Sequence, residues 1–124
     1  MTYWKWLKEN ESLVTIGGSV KQYRHYCPIM DFKIIAYALA DILEKKKSVR
    51  YIDFLKKLQG TRMSKGKSFT TKGHSYKLGM VTFVLEDLKL VTINHPGSGR
   101  KPIRIDRRVP QNKMNQRVDE IISE

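Results

Sequence analysis

The chain has 124 residues, a formal net charge of +12 at pH 7 and an isoelectric point near 9.9. This length suffices for one compact domain and is too short for two. The excess positive charge opposes compact folding unless an anionic partner offsets it. This charge indicates nucleic acid as the first candidate partner, although ribosomal proteins and membrane-surface proteins can be equally basic.

Cysteine content and hydropathy narrow the class of protein further. Cys27 is the only cysteine, so an intramolecular disulfide is excluded. Together with His25 it offers too few ligands for zinc, which needs about four. No apolar run is long enough to span a bilayer, and no secretory leader is evident. We therefore expect an intracellular protein, cytoplasmic or nucleoid-associated, with no metal, cofactor, small-molecule ligand or membrane partner.

Residues 1–27 are expected to be an N-terminal extension packed on the domain. Two interpretations are open for Met1 to Tyr26: a short helix followed by a strand, or a meander of strands, which the aromatic residues of Val20 to Tyr26 favour. We expect Trp4 and Trp6 to anchor this extension to the domain, since a tryptophan pair near a terminus more often does so than stacks on bases.

Two helices are predicted next. The first begins near Pro28 and ends at three lysines, Lys45 to Lys47, with an apolar stripe formed by Ile34, Ile35, Ala38, Leu39, Ile42 and Leu43. A strand stub at Ser48 to Tyr51 leads into a second, shorter helix that stops at Gly60.

A basic window follows, because no acidic residue occurs between Asp53 and Glu86. Its cations are Lys56, Lys57, Arg62, Lys65, Lys67, Lys72 and Lys77. The stretch from Thr61 to Lys72 is polar and contains glycine, serine and threonine, which predicts a mobile loop. Loops of this composition supply phosphate contacts.

A third helix is predicted between Ser75 and Leu88. Its inward face is formed by residues spaced three and four apart, namely Leu78, Val81, Leu85 and Leu88. At about 100° per residue the opposite side carries Tyr76, Gly79, Met80 and Phe83. Lys72 and Lys77 lie near its start, whereas Glu86 and Asp87 occupy its last turn, so a polyanion would meet the beginning of the helix.

Two alternating strands are predicted after this helix, at Lys89 to Asn94 and Pro102 to Val109. The glycine-containing turn His95 to Lys101 joins them into a hairpin with a basic tip. Gly97, Ser98 and Gly99 lack the Lys-Ser/Thr and the following helix of a nucleotide-binding loop.

Residues 110–124 are predicted to form a terminal amphipathic helix beginning at Pro110. Its narrow apolar edge contains Met114, Val118, Ile121 and Ile122. This edge either folds back on the domain or pairs with a second copy, and we favour dimerisation because the helix follows the hairpin as an appendage.

The order of helix, strand stub, helix, helix and basic hairpin over residues 28–109 resembles the winged helix-turn-helix family of DNA-binding domains, an α+β and mainly α fold. The most specific segment is LEDLKLVTINHPGSGRKPIRI from Leu85, which is similar to a recognition helix passing into a wing. Lys89 stands where such families often have glycine. The connection from Gly60 to the third helix is longer than the three or four residues of a tight helix-turn-helix.

The resemblance implies that the third helix enters the major groove of double-stranded DNA while the wing lies on the flanking backbone or minor groove. By position, Ser75, Tyr76, Lys77 and Met80 would face base edges and nearby phosphates. Lys65, Lys67 and Lys72 would hold phosphates, and Arg100 and Lys101 would be the wing contacts. Arg62, His74 and Arg104 complete the predicted DNA-binding set. Phe83 lies beyond the groove contact, so we expect the N-terminal segment or a partner subunit to cover it.

We therefore expect a sequence-specific transcriptional regulator that binds DNA as a homodimer. The alternatives are an architectural, chromatin-like protein that coats DNA, and a winged-helix module for protein contact in a transcription or replication assembly. Enzymatic activity is not expected, since no Ser-His-Asp or Cys-His spacing is present and the basic window contains no acids for a nuclease.

Overall fold

The computed structural model describes residues 2–10, 27–97 and 101–123. Its helices are α1 (Tyr3–Glu9), α2 (Ile29–Lys45), α3 (Tyr51–Lys57), α4 (Ser75–Asp87) and α5 (Met114–Ser123), and its strands are β1 (Ser48–Arg50), β2 (Val91–Asn94) and β3 (Arg104–Arg107). Short 3-10 turns lie at Ser64–Gly66 and Gln111–Lys113. The fold is α+β and mainly helical, as predicted. None of these helices is long and apolar enough to cross a membrane.

The N-terminal segment begins with a helix and not with the strand favoured from sequence. The Thr2 side chain caps α1 by accepting a hydrogen bond from the Lys5 amide at 3.3 Å. The predicted anchoring is confirmed for Trp4, whose ring is buried 4.9 Å from that of Phe32 on α2. The strand expected at Val20 to Tyr26 lies outside the described residues.

The core is organised around α2, which contacts α4 on one side and α5 on another. Its stripe faces inward as predicted, with Ile35, Leu39 and Leu43 fully buried. Arg107 of β3 caps its C-terminal end, where the guanidinium donates to the carbonyls of Leu43 at 2.9 Å and Lys46 at 3.2 Å.

A three-stranded antiparallel sheet with the order β1-β3-β2 closes one end of the core. Ile105 at the centre of β3 is buried and pairs with Val49 on one side and Ile93 on the other. The predicted hairpin strands are thus present, and β1 joins them. On the outer edge of β2, the Ile93 amide donates to the Glu86 carboxylate at 2.7 Å.

The helix α5 folds back on α2, so the prediction that its apolar edge meets a second copy is wrong. Met114, Val118 and Ile121 are buried within the chain, and Ile122 is half-buried. The Tyr37 hydroxyl of α2 donates to Asp119 at 2.5 Å, and this strengthens the contact between the two helices. An amphipathic helix of this kind buries its edge wherever a matching apolar face is nearest.

Candidate nucleic-acid interface

The basic stretch Thr61 to Lys72 forms a hairpin-like loop that is closed by backbone hydrogen bonds. The mobility expected from its composition stays a prediction. The Met63 amide donates to the Lys67 carbonyl, and the Phe69 amide donates to the Thr61 carbonyl, both at 2.7 Å. The chain reverses at Lys65 and Gly66, whose φ angles of 61° and 72° lie in the left-handed region. The side chains of Met63 and Phe69 are buried. These two apolar side chains therefore attach an otherwise polar segment to the core.

The cations predicted to hold phosphates are displayed on this loop. Arg62, Lys65 and Lys67 are exposed around the chain reversal, and Lys72 is exposed in the turn before α4. Because their backbone is hydrogen-bonded, binding a polyanion would not require this loop conformation to form first. The structure therefore brings together the loop cations and the beginning of α4.

Side chains from three elements fix where this loop joins α4. The Asp31 carboxylate of α2 accepts from the Ser64 amide at 2.8 Å, and the Gln59 side chain accepts from the Thr71 amide at 2.9 Å. The Thr70 amide donates to His74 Nδ1 at 2.8 Å. These contacts precede Ser75, where α4 begins as predicted.

His74 is half-buried and neutral in this arrangement. Because Nδ1 accepts a hydrogen bond, the ring proton resides on Nε2. Partial burial and the charge of Lys77 lower the pKa of His74 below its usual value. His74 therefore orders the approach to α4 and is not one of the interface cations at neutral pH.

Lys77 is buried, and its predicted role at base edges or phosphates is wrong. Its side chain lies inside the molecule, where Nζ contacts the Asp31 carboxylate at 2.5 Å and the residue is only 6% exposed. Asp31 itself is fully buried. An ammonium group in this position is held by its partner and cannot reach a DNA backbone.

Met80 is also buried, so its predicted place on the outer face of α4 is wrong. The helix is covered on more than one side, by α2, by α1 and by β2, so its buried face is wider than the leucine spacing implies. Its exposed strip contains Ser75, Gly79, Phe83, Glu86 and Asp87. This strip carries no cation, since Lys77 is the only Lys or Arg of α4.

Phe83 is contacted by the N-terminal segment, as one of the two expected arrangements requires. The rings of Tyr3 and Phe83 lie 4.5 Å apart between their centroids. Phe83 nevertheless remains 54% exposed. The exposed aromatic surface thus lies toward the acidic end of α4.

Two of the three predicted hairpin cations lie in the described part of the chain, and they differ in exposure. Lys101 is exposed, whereas Arg100 lies outside the described residues. Arg104 is half-buried, and its Nε donates to the Ser48 hydroxyl at 2.7 Å, which in turn donates to Asp106 at 2.5 Å. Arg104 therefore connects β3 to β1, which sequence alone did not indicate.

No protein-family model, curated protein or solved structure matches this sequence. Across residues 2–10, 27–97 and 101–123, no three His, Cys, Asp or Glu side chains form a group that could hold a metal ion.

Proposed function

We propose that this chain is a winged-helix protein that binds double-stranded DNA and contacts chiefly the phosphate backbone of the DNA. The observation that carries the proposal is the hydrogen-bonded loop with Arg62, Lys65 and Lys67 exposed next to the start of α4. Phosphate contacts in protein–DNA complexes come from such cations and from backbone amides near helix starts. Electrostatic contacts of this kind supply most of the affinity for duplex DNA.

The order of elements supports a winged-helix assignment. In this proposal α2, α3 and α4 are its three helices, β2 and β3 are its wing, and Lys101 contacts the backbone beside the groove. The longer connection before α4 is then used as a phosphate-binding loop.

The exposed strip of α4 suits close approach to a groove at its first turns. An added Cβ at Gly79 would meet only the Tyr51 hydroxyl, at an ordinary 4.0 Å, so the packing of the protein does not demand glycine there. The missing side chain would allow the helix backbone and Ser75 to approach base edges. We propose a sequence-specific regulator on this basis, with Tyr76 at the margin of the contact.

The test is binding of labelled duplex DNA by fluorescence anisotropy across a salt series. A variant with Arg62, Lys65 and Lys67 changed to alanine is compared with one in which Lys45, Lys46 and Lys47 are changed. Both lose three exposed charges, but only the first set lies on the loop. We expect the loop variant to reduce the slope of log affinity against log salt by about 2–3, because each phosphate contact contributes about 0.9.

Two results would contradict the proposal: no binding by the intact chain even at low salt, or equal losses in both variants. Competition by unrelated DNA decides the mode of binding. Weak competition supports a regulator, whereas equal competition supports the architectural alternative.

A protein-contact module is a second candidate, favoured by the exposed Phe83 beside Tyr3 and by the acids Glu86 and Asp87. Such a surface attracts a protein better than it attracts a polyanion. In this case Phe83→Ala would release the partner in a pull-down, while the loop variant would retain it. The reverse pattern would exclude this candidate.

A further inference from the structure

Asp31 is a buried carboxylate that contacts both α4 and the basic loop. Its Oδ2 contacts Lys77 Nζ of α4 at 2.5 Å, and its Oδ1 accepts the Ser64 amide of the loop at 2.8 Å. It lies in the first turn of α2 and is fully buried. A charge in this position is stabilised only if its lone pairs are satisfied, and here both oxygens have donors.

The bond to Ser64 lies directly before the chain reversal of the loop. Ser64 opens the 3-10 turn that contains Lys65 and Gly66. Met63 and Phe69 hold the stem of the loop, whereas the Ser64 amide is the contact that joins the tip to α2. Asp31 therefore adds a contact between α2 and the tip of the loop to the two buried side chains at its stem.

Cys27 is a second buried titratable group near Asp31. The Cys27 thiol is fully buried, and burial, with the charge of Asp31 next, raises its pKa so that it stays protonated. The carboxylate thus serves Lys77 and Ser64 together. The same residue connects the loop to the helix that the loop precedes.

We propose that Asp31 is a positioning residue for DNA binding, which holds the cations of the loop in register with the start of α4. This inference rests on the proposed function. Asp31 would determine where the loop cations meet the phosphates without contacting DNA itself. Separating the loop from Asp31 would leave the charges present but let them move independently of the helix.

Ser64→Pro tests this inference because it removes the amide hydrogen that is donated to Asp31. Proline fits the first position of a helical turn, and the preceding Met63 is extended, with φ −105° and ψ −175°, as a residue before proline prefers. Ser64→Ala is the matched control, since it removes the hydroxyl and retains the amide. The measurements are the salt dependence of DNA binding, the rate of trypsin cleavage at Lys65 and Lys67, and the melting temperature.

We expect Ser64→Pro to weaken DNA binding roughly tenfold and to lower the salt slope by about 1–2, corresponding to one or two lost phosphate contacts. Cleavage at Lys65 and Lys67 should accelerate in Ser64→Pro only. Ser64→Ala should match the unaltered chain in all three measurements. A merely structural role would lower the melting temperature without changing the salt slope.

Two failures are distinguishable. If the unaltered chain binds DNA and Ser64→Pro binds with the same affinity and salt slope, the inference is overturned while the proposed function stands. If the unaltered chain does not bind DNA at low salt, the proposed function fails, and the positioning role for DNA fails with it.

Discussion

At the scale of single residues, the buried pair of Asp31 and Lys77 determines how a substitution at Lys77 affects the protein. A variant at Lys77 would ordinarily be chosen to remove a DNA contact. Because the ammonium group is buried against Asp31, such a variant would report on folding instead. Removing one partner of a buried ion pair leaves an uncompensated charge, which typically costs about 3–5 kcal/mol.

We therefore predict strong coupling between these two positions. Lys77→Met alone should lower the free energy of unfolding by about 3–5 kcal/mol. Combined with Asp31→Asn, which keeps an oxygen for the Ser64 amide, the loss should be much smaller because no charge remains buried. Urea denaturation of both single variants and the double variant measures the coupling. Additive losses would show that the two groups do not compensate each other.

His74 makes stability depend on pH. Its pKa is lowered in the folded state, mainly by partial burial, so the unfolded chain binds more protons and stability rises with pH. The contribution is complete above the unfolded value of about 6.5 and is lost as the pH falls through the lower folded value. We predict a falling urea midpoint below pH 6.5 that is reduced in His74→Asn, which retains an acceptor near Nδ1. The same pH dependence in both proteins would refute this role.

At the scale of elements, the exposed strip of α4 contains Gly79, which has a low helix propensity and no side chain to keep a partner away from the helix backbone. Glycine inside a helix is less favourable than alanine by about 1 kcal/mol, and the space at Gly79 accommodates a methyl group. The strip thus retains a residue that the fold does not need. The proposed approach of DNA explains why such a position would be useful.

We predict opposite effects of Gly79→Ala on stability and DNA binding. The free energy of unfolding should rise by about 1 kcal/mol, since the new Cβ meets only the Tyr51 hydroxyl at 4.0 Å. DNA affinity should fall several-fold as the methyl group separates the helix from the groove. Urea denaturation and anisotropy measure the two effects, and Gln116→Ala, at an exposed position of α5, is a control for nonspecific effects of substitution. Unchanged affinity would exclude close approach at this position.

The terminal helix α5 is part of the core, which gives a prediction contrary to dimerisation through it. Met114→Ala removes a fully buried side chain and should lower the free energy of unfolding by about 2–5 kcal/mol. Gln116→Ala changes an exposed residue of the same helix and should have little effect. Urea denaturation gives the stabilities and light scattering gives the mass. A change of mass without a loss of stability would restore the dimer interpretation.

The elements were predictable from sequence where local periodicity determined them. The apolar stripe of α2, the leucines of α4 and the alternation in β2 and β3 each placed an element correctly. Lys89 stands where winged-helix families often have glycine. It adopts φ 65° directly after α4, a left-handed conformation in which glycine is favoured. The amides of Lys89 and Leu90 close the helix end by donating to Glu86 and Leu85.

The site was less predictable because its geometry depends on distant residues. Lys77 is 46 positions from Asp31, and Ser64 is 33 positions from it. Nothing local to Lys77 distinguishes it from an exposed lysine, although an acid on the inward side of α2 was a signal that a partner must exist. The fold-back of α5 likewise depends on the tertiary placement of α2.

At the scale of the whole molecule, the exposed cations of the loop precede the start of α4 in the chain, while the acids of α4 lie at the far end of that helix. A net charge of +12 makes the free protein repel itself, and a bound polyanion would relieve that repulsion. Binding of DNA should therefore raise the melting temperature of the chain, and by more as the ratio of free DNA to the dissociation constant rises, because the stabilisation grows with the logarithm of that ratio. The same charge makes the ionic strength of any assay decisive.

The hydrogen bond between Glu86 and the Ile93 amide has a consequence for the protein at high concentration. Within the described part of the chain β2 forms one outer edge of the sheet, and unpaired amides at such an edge can bind a strand from another molecule. A carboxylate occupies one of these donors and places a negative charge along the edge. We therefore expect this carboxylate to oppose edge-to-edge pairing of copies, and the net positive charge to reinforce that effect.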